Sequence, residues 1–403
     1  MSNRLLNIFA VIMVILMAGA AFAAGYLVRG LRDPQITNVG LLSADSGTRE
    51  AFGLFWEAWG RIESNYIDDL PDPERVVYGA IRGALSELQD PYTVFVEPPA
   101  REQERETLRG NFGGIGVTIS RLETGEVIMQ PIDNNPAAIA GVLLDDILVA
   151  VDGVVITPEM SLADIGQMIR GEKGTEVRLT VQHQGEPDTI DIVVVRDDIL
   201  IPSVSFRLLR ENESIGYIQL IRFTGETVGE VEAAIATLRE QGATQLVLDL
   251  RGNGGGLLDA AVGVADHFLV DGDILIQRSR EAEEQTYEAT EGAVAGDMPV
   301  VVLIDGGTAS AAEIVAGALG DRERATLIGA SASFGKGSVQ LVYDLSDGSS
   351  VHVTSSRWYT PAGNQLDQHG LEPEILVALT QEGIQNGRDE VLERAIQFLE
   401  NGS

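Results

Sequence analysis

Two short runs carry residue types that do chemistry together: 305–314, Asp-Gly-Gly-Thr-Ala-Ser-Ala-Ala-Glu-Ile, and 333–340, Ser-Phe-Gly-Lys-Gly-Ser-Val-Gln. In the first, an apolar run of β-formers over 299–304 turns through two glycines and delivers Ser310 to the opening of an alanine-rich helical pattern. Helix amides and dipole favour negative charge at that point, which suits a nucleophilic hydroxyl held on a tight turn. A serine so placed can equally be a plain helix cap. Lys336 tips the choice. It stands between Gly335 and Gly337, where the backbone is flexible enough to enter a cleft, and burial would lower its pKa enough to make it a base. Phe334 and Val339 are expected to supply the apolar setting, and Gln340 can orient the amine without a carboxylate's charge. His183, His267, His352 and His369 are scattered and have no better claim. A third run, Gly254-Gly255-Gly256, follows a buried strand and precedes a helix, but lacks the lysine and hydroxyl of a phosphate loop. Its amides suit the oxyanion of acyl transfer, and we assign the two donors to Gly255 and Ala311, each worth about 3 kcal/mol of barrier.

These groups need a rigid frame, and the chain from 199 onward supplies one. Strands are predicted over 214–220, 245–250, 299–304 and 325–328, with helices over 225–241, from 258 to 269 and over 311–319. Such alternation argues for an α/β core with parallel strands. An amphipathic helix over 389–399 is expected to dock at the surface.

Ahead of this core, short strands with one helix over 161–170 make a small β-barrel module at about 111–198. The segment resembles a PDZ domain in Gly114-Ile115-Gly116-Val117, in Asn135-Pro136-Ala137-Ala138 and in the Asp145-Asp146 turn before Ile147. A glycine turn of this kind exposes several N–H groups in one concavity and can bind a C-terminal carboxylate, while the adjoining strand edge pairs with the peptide. Leu162, Ile165 and Ile169 are expected to line the pocket for the last side chain. Two amphipathic helices, over 50–66 and 74–88, suggest a packing or homodimerisation element. The first charge-free run, 8–28, is long enough to span a bilayer, and Ala21-Phe22-Ala23 also fits a cleaved export signal. Either reading exports the rest of the chain, and we favour an uncleaved anchor.

Composition narrows the partners. A formal charge of −33 repels nucleic acid and gives no attraction to anionic lipid heads. The absence of cysteine excludes disulfides, thiolate catalysis and thiolate metal sites, and four scattered histidines leave no expectation of a metal or cofactor.

The combination of 111–117, Leu248-Asp249-Leu250-Arg251-Gly252-Asn253-Gly254-Gly255-Gly256-Leu257-Leu258, 306–316, 334–340 and Tyr359-Thr360-Pro361-Ala362-Gly363 resembles the C-terminal processing peptidases, which are serine–lysine enzymes. That resemblance spans about 51–399. It implies a multi-domain α/β fold with a crotonase-like protease core and an inserted PDZ module. It also implies Ser310 as nucleophile, Lys336 as general base, Gln340 as the orienting residue, and Arg170 as a residue coupling PDZ domain to protease. The expected organisation is an anchor or signal at 1–30, a linker at 31–49, a helical region at 50–110, the PDZ domain at 111–198, the protease at 199–380 and a terminal helix at 381–403. Two competitors remain: an inactive PDZ scaffold binding peptide C-termini in the cell envelope, and a crotonase-like acyl-CoA enzyme. Keeping Ser310, Lys336 and Gln340 together argues against the first, and export against the second.

Overall fold

The computed structural model describes residues 46–280, 284–290, 292–367 and 369–402. The predicted anchor or signal at 8–28 lies outside the described residues. Among the described residues, no helix is long and apolar enough to cross a membrane. The chain divides into two compact units, 1–77 and 78–403. In the first, the helix Ser46–Asn65 carries an aromatic stripe in which Phe55 stacks edge-on against Trp56 at 5.1 Å.

The second unit is a mixed α/β structure. Its central sheet runs in the order Val204–Leu208, Ile215–Leu220, Gln245–Asp249, Val300–Ile304, Ala325–Gly329, Ile375–Leu376. The first pair is antiparallel and every later pair parallel. Parallel strands are covered on both faces, so they read as continuous apolar runs rather than alternating ones. Val300–Ile304 is buried at every position. Helices Thr227–Glu240, Leu258–Asp266 and Ala311–Asp321 pack their Val, Ala and Leu residues on one face. The terminal helix Glu390–Asn401 closes the other, burying Val391, Ala395, Ile396 and Leu399 against Tyr217, Val247, Val301 and Ile328. It is therefore core, where the sequence suggested surface docking.

A second, antiparallel sheet lies beside the serine helix. It contains the hairpin Ser338–Asp344 with Ser350–Tyr359, flanked by Asp273–Ser279 and by the short strand Val94–Val96. The six-stranded barrel sheet at 117–195 has its own core, built on Met129, Leu148, Ile165, Val177, Leu179 and Val181. A two-stranded ladder, Asn111–Gly114 against Asp197–Leu200, brings the chain into that barrel and out again. The helix Pro98–Arg109 precedes the ladder.

Candidate active site

Ser310 follows the buried strand Val300–Ile304 and precedes Ala311, the first residue of its helix. Its backbone sits at φ 54, ψ −117. An L-residue other than glycine rarely adopts this conformation, which costs about 1–3 kcal/mol and persists only where the surroundings enforce it. The turn is tied down by Thr308, whose hydroxyl donates to the Leu250 carbonyl at 2.9 Å, and by the Ala309 amide, which donates to the Asn253 carbonyl at 2.9 Å. Both bonds fasten the serine turn to the glycine-rich loop of the neighbouring parallel strand.

That loop comes within contact of the serine. Gly255 has φ +100, and a Cβ built there would lie 2.9 Å from the Ser310 Cβ and 3.1 Å from the Ala311 nitrogen. Only glycine fits. The Ala311 amide donates to no acceptor among the described residues, whereas the Gly255 amide donates to Asn253 Oδ1 at 2.9 Å. Arg251 anchors the start of the loop, bonding Asp249 and, through both terminal nitrogens, Asp389 at the head of the terminal helix.

Glu313, fully buried, joins the two chemistry-bearing runs. Oε2 accepts from the Ser310 amide at 2.8 Å and from the Lys336 amide at 2.9 Å. Oε1 accepts from the Gly335 amide at 2.7 Å and from the Ser333 hydroxyl at 2.5 Å. The sequence offers Glu313 only as a residue three beyond a serine, the spacing of a capping box. The bond from the Ser310 amide is the carboxylate half of such a box, and the same carboxylate also clamps the lysine loop to the serine turn.

Lys336 is held, not floppy. Gly335 at φ +86 packs so closely on the backbone of Leu366, His369 and Gly370 that a Cβ would lie 2.7 Å from the Gly370 nitrogen. The Gly337 amide donates to Asp367 Oδ1, and the Trp358 indole donates to the Lys336 carbonyl. Burial pushes the Lys336 amine below the usual lysine range, against the opposing charges of Asp90 and Glu313. The apolar wall is Tyr92, with the amine 5.0 Å from its ring centre, whereas Phe334 is 56% exposed. Among the described residues, no hydrogen bond joins Lys336 Nζ to Ser310 or to Gln340. The Gln340 amide donates instead to Ser338 Oγ at 2.9 Å and to Thr354 Oγ1 at 3.4 Å. Of the four histidines, His183 bonds Asp146, His267 bonds the Val228 carbonyl, and His352 lies beside Glu104.

An open cleft of ≈ 640 Å³ runs between the glycine loop 252–256 and the helix Pro98–Arg109, lined there by Gln103, Glu104, Thr107 and Leu108. On the same helix, Glu106 meets Arg170 at 3.6 Å, and Arg170 also lies 4.7 Å over the Phe112 ring. Burial raises the Glu106 pKa. Arg170 thus links the end of the barrel's helix Leu162–Ile169 to a wall of the cleft. In the barrel, the amides of Ile115 and Gly116 donate to no acceptor among the described residues. Gly114 lies at the end of the ladder strand, opposite Asp197, and Val117 opens the next strand. Ile165 and Ile169 are sealed in the barrel core with Ile115, while Leu162 is more than one-third exposed.

Residues 214–377 match peptidase family S41, and residues 127–183 match a PDZ domain. A carboxy-terminal-processing protease of Bartonella bacilliformis is 37% identical over 338 residues, covering 83% of this chain and 76% of that protein. The carboxy-terminal processing protease CtpA of Bacillus subtilis is 33% identical over 341 residues, covering 85% of this chain and 72% of its own. A solved photosystem II D1 C-terminal processing protease is 34% identical, covering 79% of this chain and 86% of that one at a TM-score of 0.46.

Proposed function

The chain belongs to the carboxy-terminal processing proteases, serine peptidases of family S41 carrying a PDZ domain, and on that footing we propose that it cleaves peptide bonds with Ser310 as nucleophile and Lys336 as base. One observation carries this reading. A serine in a strained backbone conformation and a desolvated lysine, from separate loops, hang on the same buried Glu313 carboxylate. A capping box accounts for the bond between Ser310 and Glu313, but not for the strained backbone or for the Gly335 and Lys336 amides on the same carboxylate.

In the proposed reaction, Ser310 Oγ attacks the scissile carbonyl carbon while the neutral Lys336 amine takes the hydroxyl proton. The developing oxyanion meets the free Ala311 amide, and the Gly255 amide joins it on exchanging its Asn253 partner. Collapse returns the lysine's proton to the leaving nitrogen and leaves a Ser310 ester. Lys336 then deprotonates a water that hydrolyses the ester, releasing the acid and the free serine. Gln340 holds the strand that leads out of the lysine loop through Ser338 and Thr354, and in the proposed reaction it orients the amine.

The free amides at Ile115 and Gly116, between Gly114 and Val117, support capture of a substrate's terminal carboxylate, with the exposed Leu162 beside its last side chain, while Ile165 and Ile169 back the helix from the barrel core rather than lining the pocket. Arg170 then couples an occupied PDZ domain to the cleft through Glu106. Substrates are the C-terminal tails of exported or unfolded proteins. We place the enzyme on the outer side of the membrane, anchored through 8–28, with the aromatic helix Ser46–Asn65 as a homodimer contact.

The test incubates the full chain, Ser310→Ala and Lys336→Ala with an unfolded protein bearing a free C-terminus, and identifies fragments by mass spectrometry. Fragments from the parent alone are expected. A Lys336→Ala variant cleaving at the parent's rate refutes the base.

A further inference from the structure

The aromatic wall over Lys336 comes from a distant part of the sequence. Tyr92 lies upstream of the PDZ module, in a turn that the sequence marks only as the end of a helix at Asp90-Pro91. That turn is built with care. Asp90 Oδ1 accepts from the Tyr92 amide at 3.0 Å, and Oδ2 accepts from the Thr93 hydroxyl at 2.6 Å. Thr93 Oγ1 in turn accepts from the Thr354 amide on the catalytic hairpin at 3.1 Å. The strand Val94–Val96 then pairs with that hairpin, Val94 opposite His352 and Phe95 opposite Val351. Phe95 stacks on Tyr78, whose hydroxyl donates to Asp347 at the hairpin's tip. The whole segment is pinned to the hairpin whose first strand begins two residues after Lys336. Its result is to set one aromatic face against the Lys336 amine.

We propose that Tyr92 is a positioning residue of the hydrolytic centre, its ring holding the Lys336 amine in place and thereby setting the pH at which that amine becomes a base. A cation within about 6 Å of a ring centre is attracted by the ring's quadrupole, so the face favours the ammonium. The charged and titratable groups around the amine come from every neighbouring element. Asp90 lies on the same turn as Tyr92, and Glu313 on the serine helix. Asp367, on the segment under Gly335 and Gly337, faces the Tyr92 phenol and pairs with Arg357, which also faces Asp90. Burial, with Asp367, Glu313 and Asp90, pushes the Tyr92 phenol above its ordinary range, so the ring stays neutral across the working pH. Burial alone would lower the lysine; Asp90, Glu313 and the ring face oppose it.

This inference rests on Lys336 being the base, and the experiment separates the two. Cleavage of an unfolded protein by the full chain is measured from pH 5 to 10 for the parent, Tyr92→Phe, Tyr92→Leu and Lys336→Ala, with near-UV circular dichroism confirming the fold. Tyr92→Phe keeps the ring face and is expected to keep the ascending limb. Tyr92→Leu is expected to move that limb down by about half a pH unit, because the ammonium loses its ring. Its plateau rate is expected to fall about tenfold through lost placement. Tyr92→Met, which fills the space without a π face, makes the same comparison should leucine not fold. A limb that stays put, or moves to higher pH, in the leucine or methionine variant overturns the role of Tyr92. A Lys336→Ala variant as active as the parent overturns the base itself.

Discussion

Replacing Glu313 with alanine strands four donors at once: the amides of Ser310, Gly335 and Lys336 and the hydroxyl of Ser333. A buried donor left without a partner costs about 1–3 kcal/mol, so even the low end sums to about 4 kcal/mol of local stability. Glutamine is gentler. It keeps one accepting oxygen but turns an NH₂ toward two donors, which sets a loss of about 2 kcal/mol or more. Both changes release the lysine loop from the serine turn, and a misplacement of about 1 Å is enough for a rate loss of about 10². Glu313→Gln also removes a negative charge that holds the Lys336 pKa up, so the residual activity should rise at lower pH than the parent's. Trp358 offers a local probe, since its buried indole donates to the Lys336 carbonyl. With Trp56 and Trp59 replaced by phenylalanine, its fluorescence in urea reports the lysine loop directly. A Glu313→Ala variant with the parent's urea midpoint and turnover would refute the clamp.

Other expectations follow from the same geometry. Ser310→Gly should be inactive yet more stable than Ser310→Ala by about 1 kcal/mol in denaturant melts, because glycine adopts φ 54 without strain. Gly255→Ala should lower kcat about 10²-fold or more, since its Cβ would lie 2.9 Å from the Ser310 Cβ. Amidating a substrate's C-terminus should weaken its binding to the PDZ domain by titration calorimetry, and unchanged affinity would remove Ile115 and Gly116 from carboxylate capture.

The central sheet was legible because its parallel strands are apolar throughout and alternate with alanine-rich helices, a pattern that depends on neighbours in sequence. Ser310 was legible for the same reason, being fixed by the strand and helix on either side of it. Residues whose partners lie far off were not. Nothing in 310–313 marks the role of Glu313, since the lysine loop that it holds lies more than twenty residues on. Tyr92 looked like punctuation after a helix, because the hairpin it rests on begins some 250 residues later. The helix Pro98–Arg109 lacks an apolar stripe; it docks through Arg101 and Arg105 on Asp344 of the hairpin, and charges of that kind read as solvent-facing. Phe334 was expected to cover the lysine because it is adjacent in sequence, but the turn at Gly335 points it outward.

The proposed dyad is tested most directly by trapping its intermediate. The full chain is mixed with an unfolded substrate, quenched in acid within the first turnover, digested and mapped by mass spectrometry. The expected result is a substrate acyl group on the peptide containing Ser310, present in the parent and lost in Lys336→Ala. An acyl group on another residue, or one formed at the parent's rate without Lys336, would contradict it.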